Sequence, residues 1–124
     1  MSNPIALIVE DDDDLANIFA EALQAARYDT EIARTGDRAM ARLKTVTPDV
    51  VVLDLHLPGV SGMEILGQIR ANPRLAHARV IVASADPVMA QSLSDQADLV
   101  LIKPISFSQL RDLANRFNPQ ATST

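Results

Sequence analysis

The chain has no cysteine and no tryptophan, and only one tyrosine, three phenylalanines and four glycines among its 124 residues. Without cysteine there is no disulfide and no thiolate metal site. Aromatics make up 3 %, so aliphatic packing must carry the core, and an apolar content of 48 % is enough for one domain. Positive charge is short as well: 11 Lys and Arg face 16 Asp and Glu, a formal net charge of −5. Direct nucleic-acid binding usually shows a basic patch, which this balance argues against. No apolar run nears the length of a membrane span. Met1-Ser2-Asn3-Pro4 runs straight into a strand-like segment, without a signal-peptide pattern. The default expectation is a cytoplasmic protein without nucleic-acid or membrane contacts.

What the chain does have is four short apolar runs, each ending on a polar group. Ile5-Ala6-Leu7-Ile8-Val9 ends at Glu10-Asp11, and Val50-Val51-Val52-Leu53 ends at Asp54. Val80-Ile81-Val82-Ala83 ends at Ser84, and Leu99-Val100-Leu101-Ile102 ends at Lys103-Pro104. Short β-branched runs read as buried parallel strands. Strands are expected at 4–9, 29–34, 50–54, 79–84 and 98–102. Helices are expected at 13–26, 36–46, 62–71, 87–95 and 106–117. The first helix shows Leu15, Ile18, Phe19, Ala22 and Ala26 at helical spacing. Thr35 can cap the second, and Ser61-Gly62-Met63-Glu64 and Ser106-Phe107-Ser108-Gln109 fit the capping-box pattern. Strict βα alternation predicts an α/β domain: a doubly wound parallel sheet of five strands with five helices on its two faces. Residues 4–117 read as that domain and 118–124 as a polar tail or the start of a linker.

In an open parallel sheet, ligands bind beyond the carboxyl ends of the strands. The pattern therefore gathers three carboxylates, a hydroxyl and an ammonium at one edge. Glu10 to Asp14 are consecutive acids. Asp12, Asp13 and Asp14 suit the start of the first helix, whose dipole favours negative charge. Glu10 and Asp11 sit at the strand end instead, and with Asp54 they make a cluster. At about 5 Å and an effective dielectric of about 20, each carboxylate pair repels by roughly 3 kcal/mol. Such a cluster needs a cation. Oxygen ligands without His or Cys favour Mg²⁺ or Mn²⁺ over zinc. An EF-hand is excluded, because the turn glycine and terminal Glu are missing at the required spacing.

Asp54 ends a fully apolar strand, and Pro58-Gly59 then turns the chain toward Gly62. A carboxylate beside a divalent cation can act as a nucleophile, and attack on a phosphoryl group gives an aspartyl phosphate. Ser84 alone reads as an ordinary strand-end hydroxyl or cap. Lys103 precedes proline at a strand end, where the peptide bond can be cis. Near three carboxylates it becomes a fixed countercharge. An ammonium and a hydroxyl can each bind one oxygen of an added phosphoryl group.

Together these residues resemble the receiver domain of bacterial response regulators, the CheY-like family, from about Pro4 to Phe117. The resemblance implies the flavodoxin-like sheet order 2-1-3-4-5. It makes Asp54 the phosphoacceptor, Asp11 the direct Mg²⁺ ligand and Glu10 an acid acting mainly through metal-bound water. His56 takes the position whose backbone carbonyl completes the metal shell. Ser84 matches the switch hydroxyl, and Lys103 the phosphate-binding lysine with Pro104 usually cis after it. Backbone amides near Ala85 complete the phosphate cradle. The donor implied is a phosphohistidine on a sensor kinase or phosphotransfer protein, and the domain then hydrolyses its own acyl phosphate. It is a switch rather than an enzyme with a separate substrate. Its output partner, or a fused output domain, is not named by the sequence. Receivers often pair through their fourth and fifth helices, so a homodimer is compatible with the resemblance.

The chain departs from the family pattern at Val100, where Tyr or Phe commonly serves as a rotameric switch, and at Ile105, where Phe is common. His56 and Asp86 stand two residues past Asp54 and Ser84 and are expected to flank the phosphoryl group and tune its hydrolysis. Two other readings compete. An interaction module that keeps the fold without phosphorylation draws support from Val100. A phosphatase of the haloacid dehalogenase type wants a second acid where His56 stands, and a cap domain for which there is no room.

Overall fold

The computed structural model describes residues 3–120. Five strands and five helices alternate: β1 (Ile5–Val9), α1 (Asp13–Ala25), β2 (Asp29–Ala33), α2 (Gly36–Leu43), β3 (Val50–Asp54), α3 (Gly62–Ala71), β4 (Arg79–Ser84), α4 (Pro87–Ser92), β5 (Leu99–Ile102) and α5 (Phe107–Phe117). The strands are parallel in the order β2-β1-β3-β4-β5. This is the doubly wound, flavodoxin-like order expected. Among the described residues, no helix is long and apolar enough to cross a membrane.

Alternation along each strand sends side chains to two core layers. Ala6, Ile8, Val50, Val52, Ile81, Ala83 and Leu101 face one layer, with Phe19 and Leu23 of α1 and Leu110 and Ala114 of α5. Leu7, Val9, Val51, Leu53, Val80 and Val82 face the other, with Ala39 and Leu43 of α2, Ile65 and Ile69 of α3, and Leu93 just after α4. Burying each large aliphatic side chain is worth about 1.5–3 kcal/mol. That lets a core with almost no aromatics hold.

Five side chains start the five helices. Asp12, Thr35, Ser61 and Ser106 accept from the amides of Leu15, Arg38, Glu64 and Gln109 at 2.9, 3.1, 3.2 and 3.0 Å. Asp86 accepts from Val88 and Met89 at 3.0 and 3.2 Å. A cap of this kind contributes about 1 kcal/mol.

Several boundaries differ from expectation. α2 stops at Leu43 rather than 46. Thr45, Val46 and Thr47 are β-branched and lead into Pro48, which disfavours helix, and the Arg74 guanidinium donates to the carbonyls of Leu43 and Val46 instead. α4 stops at Ser92 rather than 95. Its chain turns around buried Leu93, with Gln96 N donating to Leu93 O at 2.9 Å. A 3₁₀ turn at Pro73–Leu75, capped by Asn72, was not expected. In α1, Ile18 is 39 % exposed while Ala16 and Leu23 are buried. The apolar stripe is rotated because α1 packs on both the sheet and α5.

Asn118, expected in the polar tail, is buried and donates to Ala26 O at 2.8 Å, tying the end of α5 to the end of α1. Tyr28 makes a parallel tie, its hydroxyl donating to Ala114 O at 2.8 Å. Residues 121–124 of the expected tail lie outside the described residues.

Candidate phosphoryl and metal site

The carboxyl ends of the strands lie level in register: Val9 opposite Leu53, Asp54 opposite Ala83, and Ser84 opposite Ile102. Two backbone bonds extend the ladder by one residue. Glu10 N donates to Ala33 O at 3.1 Å, and Lys103 N donates to Ser84 O at 2.8 Å. These bonds hold Glu10 and Lys103 just beyond the sheet edge. β3 and β4 stand between their strands, a separation of about 14 Å at about 4.8 Å per strand. Two long side chains are needed to close it, and they meet near Asp54.

Glu10, Asp11 and Asp54 bring carboxylate oxygens within 4.8 Å of one another. Glu10 is 1 % exposed and Asp54 4 %, while Asp11 faces solvent. Lys103 Nζ donates to Glu10 Oε1 at 2.8 Å and stands 3.6 Å from Asp54 Oδ1. The Asp12 amide donates to Glu10 Oε2 at 3.3 Å. His56 N donates to Asp54 Oδ1 at 3.2 Å, and its imidazole is exposed. Asp54 Oδ2 accepts no hydrogen bond among the described residues.

Burial pushes the Glu10 carboxyl up to about 7; the Lys103 hydrogen bond opposes this, and the Asp54 charge adds to it. Burial pulls the Lys103 ammonium down, but its hydrogen bond to Glu10 and the charges of Asp54 and Glu10 outweigh that and raise it. Burial thus dominates at Glu10 and the neighbouring carboxylates at Lys103. With three carboxylates beside one ammonium, the cluster is short of positive charge. The donor set is all oxygen and fits a hard divalent cation.

Ser84 is fully buried, its Oγ accepting from Asp86 N at 3.0 Å and donating to Asp86 O at 3.4 Å. Ala85 follows it at the head of the loop to α4. The Asp86 carboxylate is occupied in capping α4. The Lys103–Pro104 bond is cis. Val100 lies on β5, half-buried against the core layer of α2, α3 and α4, and Ile105 is buried in the layer of α1 and α5.

Sequence reasoning missed how closely α3 approaches the site. A Cβ on Gly62 would lie 2.3 Å from Asp54 O and 2.7 Å from Leu55 Cα. The glycine was visible, but a backbone approach leaves no other trace in sequence. It missed the Asp12 amide for the same reason.

A family profile described as the response regulator receiver domain matches residues 6–115. The chain belongs to the response regulator receiver domain family. Receiver domains are signalling domains, and a phosphoryl-acceptor role is typical of them. Among curated relatives, the transcriptional regulatory protein TrcR of Mycobacterium tuberculosis is 36 % identical over 106 residues, covering 84 % of this chain and 41 % of TrcR. The phosphate regulon transcriptional regulatory protein PhoB of Rhizobium meliloti is 30 % identical over 128 residues, covering 98 % of this chain and 56 % of PhoB. The receiver thus spans about half the length of these relatives. A CheY-like receiver domain structure from Methylobacillus flagellatus superposes with a TM-score of 0.83 at 28 % identity, covering 94 % of this chain and all of the other.

Proposed function

We propose that residues 4–117 form a Mg²⁺-dependent phosphoaspartate switch with Asp54 as acceptor. The observation that carries this reading is the close set of Glu10, Asp11 and Asp54 carboxylates with the Lys103 ammonium beside them. His56 N and Lys103 both lie toward Oδ1, which supports Oδ2 as the attacking atom. Oδ2 attacks phosphorus, a P–O bond forms, and the bond to the donor breaks with its electron pair leaving on the donor. A phosphohistidine of a sensor kinase or phosphotransfer protein is the proposed donor. Lys103, Ser84 and the amide of Ala85 hold the new anionic oxygens. Asp11, Asp54, the His56 carbonyl and, through water, Glu10 would hold Mg²⁺ or Mn²⁺, which supplies countercharge for the transferring group. Water later attacks the acyl phosphate and restores the carboxylate. His56 and Asp86, two residues past Asp54 and Ser84, are assigned to tuning its rate. The only reaction proposed is on the domain itself, in the cytoplasm, and the output passes to a partner or a fused domain.

The test is incubation with Mg²⁺ and acetyl phosphate followed by intact mass measurement, beside Asp54→Ala. One added phosphoryl group, absent in the variant and in EDTA, is the expected result. No adduct together with no response to beryllofluoride overturns the reading. The interaction module, favoured by Val100, would then replace it.

A further inference from the structure

We propose that Asp86 is the positioning residue that transmits the state of Ser84 to α4, and that Met89 is the side chain whose packing changes in place of an aromatic switch. This rests on the phosphoacceptor reading above. Asp86 joins the site to the helix at both of its ends. Its amide donates to Ser84 Oγ at 3.0 Å, and its carbonyl accepts from that hydroxyl at 3.4 Å. Its carboxylate Oδ1 accepts from Val88 N at 3.0 Å and Met89 N at 3.2 Å, and its carbonyl also accepts from Ala90 N at 3.0 Å. One residue therefore holds the buried hydroxyl and the first three free amides of α4.

That hold matters because α4 is short. It is six residues long, and of these Ala90 is buried while Val88 is 82 % exposed. A helix this short does not persist on its own propensity. A Ser84 hydroxyl has one proton. Once it donates to a phosphoryl oxygen it cannot donate to Asp86 O, and its rotation draws it away from Asp86 N. Asp86 then loses the anchor that orients its cap, and the first turn of α4 loosens.

The response lands on Met89. Met89 and Val100 both sit half-buried against the same core layer, and α4 packs on β5. Val100 is β-branched and stiff, with no ring to rotate. Met89 is unbranched and adapts to a changed gap. In this chain the mobile group is thus placed on the helix rather than the strand.

Amide hydrogen exchange tests the link. In the ligand-free protein, Ser84→Ala and Asp86→Ala should each speed exchange at residues 88–90 about fivefold, the loss of one cap. Asp86→Asn, which still caps, should stay near wild type. Slow exchange in β1 and β3 checks that each variant is folded. Mg²⁺ with beryllofluoride should produce the same α4 acceleration in wild type and Asp86→Asn, and add nothing in Asp86→Ala. A shift of the His56 amide reports that beryllofluoride has bound. Unchanged α4 exchange in Asp86→Ala, or bound beryllofluoride that leaves wild-type α4 unchanged, overturns the proposal. An unmoved His56 amide counts against the phosphoacceptor reading instead, and the ligand-free variants still decide the coupling.

Discussion

Lys103 Nζ stands 2.8 Å from Glu10 Oε1 and 3.6 Å from Asp54 Oδ1, so the ammonium is committed to the buried acid rather than to the acceptor. The pair joins groups 93 positions apart and bridges the edge of β3 and β4. Lys103→Met keeps the apolar stem and removes the charge. Glu10 then keeps the Asp12 amide alone as hydrogen-bond donor. Urea unfolding at neutral pH should show a loss of about 1–3 kcal/mol, the cost of a buried polar group left short of a partner.

Three carboxylates within 4.8 Å make the metal-free site repulsive. Mg²⁺ should therefore raise the melting temperature, by an amount equivalent to about 2.7 kcal/mol at a hundredfold excess over Kd. Asp11→Asn should weaken that response. Asp54→Asn should melt higher than wild type in EDTA, since Asn still accepts from His56 N while one charge is gone. A lower melting point in EDTA would count against charge repulsion as the governing effect.

Two glycines of α3 should respond oppositely to alanine. At Gly62 the new Cβ meets backbone, Asp54 O and Leu55 Cα, which cannot move aside without shifting the acceptor. Gly62→Ala should cost about 1–3 kcal/mol and slow phosphorylation of Asp54 by acetyl phosphate. At Gly67 nothing lies within 4 Å. Gly67→Ala should stabilise by about 0.5–1 kcal/mol through helix propensity. Thermal melts of both variants decide this.

Asp98 anchors the far end of the sheet. Its Oδ2 accepts from Val80 N at 2.7 Å and Arg70 Nη2 at 2.9 Å, and its Oδ1 from Arg79 Nη1 at 3.2 Å. Burial works to raise this carboxyl, but the Val80 amide and the two arginines outweigh it and hold it below the usual aspartate value. A carboxyl lowered on folding contributes stability above its unfolded value near 3.8, and that stability is lost as pH falls through the folded one. Asp98→Asn should lose about 1–2 kcal/mol at pH 7 and show a flatter decline below pH 4. Equal acid sensitivity in variant and wild type would refute the assignment.

Much of this was legible from local chemistry. Apolar runs ending at Glu10, Asp54, Ser84 and Lys103 marked the strands, and Thr35, Ser61 and Ser106 marked helix starts, because capping is a short-range preference. Less legible were features that depend on a neighbour. The early end of α2 depends on Arg74 reaching the carbonyls of Leu43 and Val46. The exposure of Ile18 depends on where α5 packs. That the Asp86 carboxylate caps α4 also depends on where the loop after β4 places it. Asn118 read as tail and is found buried against Ala26.

By itself the sequence determined the alternation of strands and helices, the two-layer core and the residue types at the carboxyl edge. Each follows from hydrophobic periodicity and backbone preference within a few residues. Only the tertiary structure decided which groups touch. It paired Lys103 with Glu10 more closely than with Asp54, pointed the Asp12 amide at Glu10, and gave Ser84 to Asp86. The Lys103–Glu10 contact spans 93 positions and follows from strand register and burial. The other two join residues two apart, whose side-chain directions are set only where the folded strands end together.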